Sequence, residues 1–192
     1  MSTDKIRIFF AVPLPAEVKE LLHLQTQKWH NEISFSKWTH PEDYHITLKF
    51  IGEASQEDSR RYDEIARQTA AGHEPFGLRL SGVGAFGRPG RPSVLWAGAA
   101  GALDALGRLE QQLTAGLAGA GVPRENRPFR PHITLARNFK SGASPDDALW
   151  RRLGSDLPEA PWTVDRYVLY RTHLGRKPMY EAIGEYPLHA AE

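Results

Sequence analysis

Two short stretches of this chain carry side chains that can move protons. His45-Ile46-Thr47-Leu48 recurs residue for residue as His132-Ile133-Thr134-Leu135. With eight histidines in the chain, a chance match of the next three residues is expected on the order of 0.01 times at average composition. Both copies have the character of β-strand, in which residues two apart share a face. His45 and Thr47 then point one way, and Ile46 and Leu48 point the other way into a core. His132, Thr134, Ile133 and Leu135 follow the same rule. If a pseudo-twofold axis relates the copies, two imidazoles and two hydroxyls face one another across a groove. Histidine titrates near pH ~6.5, so one ring can be neutral while the other is protonated. The neutral ring takes a proton from water, and the protonated ring gives one to a leaving oxygen. The hydroxyls are suited to hold anionic oxygens between them. This is a chemistry for in-line displacement at phosphorus without a metal, where positioning and charge stabilisation do most of the work.

Arg124, Arg127, Arg130, Arg137 and Lys140 surround the second copy, with only Glu125 as a nearby acid. Such a local basic patch suits a short polyanion. Strict alternation from His132 sends Arg137 to the opposite face of the strand, unless the strand ends or bulges near Ala136.

The elements that must carry these residues are legible as periodicities. Ile6, Ile8, Phe10 and Val12 alternate as a strand, and Pro15 opens a helix running to about His30. Phe35–Trp38 is a short strand. His45–Ile51 is a stronger one, ended by Gly52. Ser55 with Asp58 forms a capping-box pattern ahead of a helix through Tyr62, Ile65, Ala66 and Thr69. Phe76–Val83 and Val94–Ala97 are strands joined by the Gly/Pro-rich 84–92 stretch, whose composition fits either a lid or a wide hairpin. Leu103, Leu106, Leu109, Leu113 and Leu117 mark an amphipathic helix ended by Gly121. Phe129–Ala136 is a strand, 144–153 a short helix, and Trp162–Tyr170 and Met179–Ile183 are the last strands. The two motif copies each follow a helix-bearing segment, so the chain reads as two α+β lobes in a single unit over residues 1–192.

Composition sets the outer limits. The chain has 192 residues and a formal net charge of +1, with 41% hydrophobic and 24% charged residues. That excludes a disordered tail or fibrous repeat and fits one domain. The balanced charge argues against a protein that coats duplex DNA. The absence of cysteine excludes disulfides, thiolate nucleophiles and Cys-based metal sites. No apolar run reaches the ~18 residues of a membrane span. The short run at residues 8–12 stops at Pro13, unlike a signal peptide. The default expectation is a cytoplasmic protein without a membrane or obligate protein partner. No Gly-x-Ser-x-Gly elbow and no His-x-x-x-His ligand spacing is present, which argues against a serine hydrolase and a metal site.

Taken together, Arg7-Ile8-Phe9-Phe10-Ala11-Val12-Pro13, the motif His45–Gly52, the motif Arg130–Arg137 and the ending Leu169–Gly175 to Tyr180 resemble the two-histidine phosphoesterase superfamily. Within it, the likeness is to the RNA 2′,3′-cyclic phosphodiesterases, the bacterial and archaeal 2′-5′ RNA ligase family. Motif order and spacing match over nearly the whole chain, although Thr172 stands where the family pattern has Ser. The resemblance implies a bilobal α+β fold with two antiparallel sheets lining a central cleft and helices outside. It implies hydrolysis of a 2′,3′-cyclic phosphate on RNA to a 2′-phosphate, with His45 as proton donor and His132 as proton acceptor. It implies that Thr47, Thr134 and Arg137 hold the phosphate, and that no metal or cofactor is needed. The reverse reaction would form a 2′-5′ linkage with the histidine roles exchanged. Arg7, Phe9, Arg130 and Tyr180 are further substrate-binding candidates at the cleft border.

Other readings fit the same residues. A noncatalytic module could bind RNA ends or nucleotides in the cleft, and a phosphodiesterase could act on small cyclic nucleotides. Intact His-x-Thr pairs favour an enzyme, since a binder has no use for two proton-transfer groups. His23, His30, His40, His73, His173 and His189 have no partner motif and are expected to be surface or locally hydrogen-bonded residues.

Overall fold

The computed structural model describes residues 4–140, 142 and 144–189. Its strands are β1 (Ile6–Pro13), β2 (Phe35–Trp38), β3 (His45–Ala54), β4 (Phe76–Arg88), β5 (Arg91–Gly101), β6 (Ile133–Phe139), β7 (Trp162–Val164), β8 (Arg166–Thr172) and β9 (Tyr180–Pro187). The helices are α1 (Ala16–Trp29), α2 (Gln56–Ala71), α3 (Leu103–Gly119) and α4 (Asp147–Asp156), with a 3₁₀ turn at Pro41–Asp43 before β3. All recorded strand pairings are antiparallel. The expected α+β class and bilobal plan hold, with one refinement. The two sheets are fused into a single nine-stranded sheet of order β7-β4-β5-β6-β3-β1-β8-β9, with β2 added beside β6. The join is one rung, Ile46 opposite Ile133.

That rung pairs a residue with its own counterpart in the repeat. An antiparallel ladder has a local dyad between paired residues, so the dyad of the rung and the dyad of the repeat coincide. The strand order then runs outward from the join in the same way on both sides: β3, β1, β8, β9 on one and β6, β5, β4, β7 on the other. The lobes are not sequential segments. The C-terminal β8–β9 hairpin returns to complete the first lobe beside β1, and β2 crosses to pair with β6 of the second.

Local sequence explains most elements. Ser55 accepts the Asp58 N–H, and the Asp58 carboxylate accepts the Ser55 N–H, so the expected capping box forms at the start of α2. Leu106, Leu109, Leu113 and Leu117 are all fully buried, giving α3 its inner stripe. Gly116 lets α3 approach α2, because a Cβ there would come within 2.8 Å of Ile65. Ile8, Phe10, Val12, Ile46, Leu95, Ile133 and Leu135, all fully buried or within 4% of it, form the core under the sheet.

Several boundaries differ from expectation. Gly52 does not end β3: it takes φ +89 and the strand continues to Ala54, because a glycine can adopt this conformation inside an irregular strand. The 84–92 stretch is not a loop. It extends β4 and β5 into a hairpin turning at Pro89 and Gly90, with ladder pairs out to Arg88 opposite Arg91. Glycine-rich composition mimics a loop, but here Gly84 is buried under a neighbour: a Cβ would lie 2.4 Å from the Trp96 ring. β6 starts at Ile133, since Pro128 and Pro131 interrupt the expected strand from Phe129. The 162–170 stretch splits into β7 and β8, which pair with opposite ends of the sheet.

Replacing Gly84 with Ala forces Trp96 off its seat, and Trp96 stands opposite Thr134 in the ladder. We expect a loss of about 1–3 kcal/mol in unfolding free energy, read from denaturant midpoints at unchanged slope, together with a changed tryptophan emission in the folded protein.

Candidate active site

The fusion rung places the motif residues. Ile46 and Ile133 are fully buried and face the core. His45, Thr47, His132 and Thr134, their immediate neighbours, are therefore turned to the other side, into the cleft, where all four are partly exposed. The two rings are held alike. The His45 Nδ1–H donates to the Asp43 carbonyl at 2.7 Å, and the His132 Nδ1–H donates to the Arg130 carbonyl at 2.7 Å. A carbonyl only accepts, so each Nδ1 carries its proton and each Nε2 is the atom free to gain or lose one. On the first ring Nε2 lies 3.0 Å from the Thr47 hydroxyl, which donates to it when the ring is neutral.

Arg137 reaches the cleft through a bulge. On β5, Trp96 and Val94 share a face, and they pair with Thr134 and Arg137. One extra residue on β6, between Thr134 and Ala136, resets the alternation, so Leu135 and Ala136 are both buried and Arg137 joins Thr134. The first lobe repeats this device: Thr47 and Phe50 pair with Ala11 and Phe9, and Leu48 and Lys49 are both buried. The counterpart of Arg137 is thus Phe50, which is 45% exposed, and the Arg7 guanidinium lies 5.5 Å from its ring centroid. Arg137 and Arg7 form no ion pair among the described residues. Their charges are available to an anion.

Burial and neighbouring cations depress both rings. The His45 pKa is lowered to about 4: desolvation is the largest cause, the Asp43 carbonyl and carboxylate oppose it, and His132 and Arg137 add smaller lowering effects. His132 is also lowered, first by desolvation and then by Arg137, against its bond to the Arg130 carbonyl. Both imidazoles are therefore neutral in the free protein at neutral pH.

The remaining candidates fall at different distances from this centre. Tyr180 stands edge-on to His45, with centroids 5.2 Å apart, and both Arg137 and Arg7 act on its hydroxyl. Phe9 is only 4% exposed and packs 5.0 Å from the His45 ring, so it backs the ring and offers no open face of its own. Arg130 contributes its carbonyl, while its side chain is exposed. Several participants escaped the sequence reading. Phe86 meets His132 edge-on at 4.8 Å, and it sits in the stretch whose composition resembled a loop. Tyr170 lies 5.4 Å from Phe9, ring to ring, placed by strand pairing. Lys37 stands directly across from Arg137; only the β2–β6 pairing brings these like charges together. Asp43 had one available signal, its place two residues before the motif histidine.

An antiparallel two-lobed sheet presenting paired His-x-Thr motifs in one cleft defines a phosphoesterase-type scaffold. The profile of the 2′-5′ RNA ligase superfamily matches residues 15–176, and the chain belongs to that superfamily. It is 35% identical over 182 residues to an RNA 2′,3′-cyclic phosphodiesterase of Geobacillus stearothermophilus, covering 94% of this chain but 56% of that protein. It is 29% identical over 185 residues to the Bacillus subtilis RNA 2′,3′-cyclic phosphodiesterase, covering 94% of this chain and 95% of the relative. The crystal structure of Escherichia coli LigT complexed with 3′-AMP superimposes with a TM-score of 0.79 at 26% identity, over 97% of this chain and all of LigT.

The depressed rings link protonation to stability. Unfolded, His45 binds a proton below pH 6.5; folded, only below about 4. The stability held by neutral His45 is fully present above 6.5 and is lost as pH falls toward 4. Denaturant midpoints measured across this window should fall with falling pH, and the fall should be shallower in His45→Ala.

Proposed function

We propose that this protein hydrolyses 2′,3′-cyclic phosphate ends of RNA to 2′-phosphates by metal-independent, paired-histidine acid–base catalysis. The observation that carries the reading is the matched pair of rings, each with Nδ1 tied to the carbonyl two residues before it and Nε2 left for the cleft, beside an arginine with no ion pair among the described residues. The activity for which the aligned relatives are named supports the same substrate class.

In this reading Thr47, Thr134 and Arg137 hold the nonbridging phosphate oxygens. The phosphate's negative charge raises the pKa of a nearby imidazole, by roughly 1–3 units for an opposite charge in contact, and so brings a proton onto His45. His132 Nε2 takes a proton from water as the water oxygen bonds to phosphorus. The bond from phosphorus to the 3′-oxygen breaks, and His45 Nε2 gives its proton to that oxygen. The product is a 2′-phosphate with a free 3′-hydroxyl. His132 is left protonated and His45 neutral, and exchange with solvent resets the pair. With a 5′-hydroxyl in place of water the same displacement forms a 2′-5′ linkage: His132 takes the 5′-hydroxyl proton as that oxygen bonds to phosphorus, and His45 protonates the departing 3′-oxygen, so the roles exchange only when the linkage is cleaved. Arg7 and Tyr180 border the bound RNA end, with Arg130 outside them and Phe9 supporting the His45 ring.

A short RNA with a 2′,3′-cyclic phosphate, incubated with the protein in excess EDTA, should yield the 2′-phosphate. His45→Ala and His132→Ala should each slow turnover by about 10²–10⁴ with folding intact. Arg137→Ala should lower kcat/KM by roughly ten- to a hundredfold, the worth of a hydrogen bond to a charged group. Folded wild-type protein that binds the RNA without turnover would replace this reading with a binding module, and turnover of small cyclic nucleotides alone would change the substrate.

A further inference from the structure

The two motifs match in sequence and in how their rings are tethered, but not in the side chain two residues before each ring. That residue is Asp43 in the first copy and Arg130 in the second. Both lend a carbonyl to Nδ1 at 2.7 Å. Their side chains diverge. Asp43 is 6% exposed, and its carboxylate accepts the Met179 N–H at 3.0 Å and the Tyr180 N–H at 3.2 Å. No Lys or Arg pairs with it among the described residues. Arg130 points to solvent and is likewise without an ion pair among them. A buried carboxylate satisfied by backbone donors but not by a cation keeps its field on its neighbours.

We propose that Asp43 is the positioning residue that keeps His45 able to take up the donor's proton despite its burial, because its buried carboxylate favours the protonated form of the first ring while the second copy has a solvated arginine in the same place. The inference rests on the paired-histidine reading and deepens it.

Of the charges that act on His45 and not on His132, only Asp43 favours a proton on the ring. From β3 comes the Thr47 hydroxyl, and from β1 the uncharged Phe9. From β6 come His132 and Arg137, both of which disfavour a charged His45. Arg137 acts on both rings and so does not tell them apart, whereas Asp43 acts in favour of a proton on His45 and is absent from the influences on His132. From β8 and β9 come Tyr170 and Tyr180, whose hydroxyls are pushed upward by burial and stay neutral at neutral pH. Asp43 also fixes the ring sterically. Its bonds to Met179 and Tyr180 pin the start of β9, which carries the Tyr180 ring set edge-on to His45 at 88°.

The test is Asp43→Asn in the full chain, which preserves size and one acceptor oxygen. NMR titration of both imidazoles in the free protein is paired with a kcat–pH profile on a dinucleotide ending in a 2′,3′-cyclic phosphate. The His45 pKa should fall by about half a unit or more while His132 stays, and the alkaline limb of kcat should move to lower pH with KM little changed. A folded variant in which His45 titrates as in the wild type would overturn the proposal, because a purely structural tie lowers activity without moving that titration. Asp43→Ser covers the case in which Asp43→Asn does not fold: it too removes the carboxylate, and the His45 pKa should fall while His132 stays; a folded Asp43→Ser in which His45 titrates as in the wild type would overturn the proposal. The NMR shifts do not depend on turnover, so a wild-type protein inert toward cyclic phosphate would count against the phosphodiesterase reading separately.

Discussion

Everything about the site depends on one rung of backbone pairing, Ile46 opposite Ile133. An antiparallel rung is symmetric about its own centre, and here it joins two residues that occupy the same place in a repeated motif. Burial of both isoleucines against the core turns their neighbours outward together. Two imidazoles and two hydroxyls thus arrive in one cleft without any loop having to hold them. A slip of one residue would carry every one of these side chains to the core face. The buried isoleucines and leucines beneath the rung therefore fix the register as firmly as they fix the fold.

The symmetry is used and then broken. Both lobes place a bulge at the same distance past the histidine, each delivering the next residue to the cleft. In the second lobe that residue is Arg137. In the first it is Phe50, and the cation comes instead from Arg7 on the neighbouring strand. Two residues before the ring, the first copy has a buried acid and the second an exposed base. A perfectly symmetric pair would give neither ring a reason to act as the donor. In the proposed reaction, such exchanges give the two rings the different surroundings that one acid and one base require.

The cleft is also supported by groups that do no chemistry. Phe9 and Phe86 lie against the two rings from different strands, and the buried carboxylate of Asp43 ties the returning C-terminal hairpin to the first motif. The lobes are interwoven through β2 and through β8–β9. Both halves of the site are thereby built from sequence-distant pieces, which limits how far one ring can move without the other.

By itself the sequence determined the residues that can act and the faces they occupy. A repeated His-x-Thr with alternating apolar neighbours states its orientation within a single strand, and the leucine stripe of α3 and the capping box of α2 are equally local signals. Only the tertiary structure decided what lies beside what. Arg137 was ambiguous because alternation is a rule for an unbroken ladder, and the bulge at Leu135 is visible only once β6 is paired with β5. The 84–92 stretch looked like a loop because glycine content records backbone freedom, whereas here Gly84 makes room for the Trp96 ring across the ladder. Asp43 and Tyr180 lie far apart in the chain and meet only because β9 returns to the first lobe. Local periodicity encodes direction, but partners and registers are set by long-range packing.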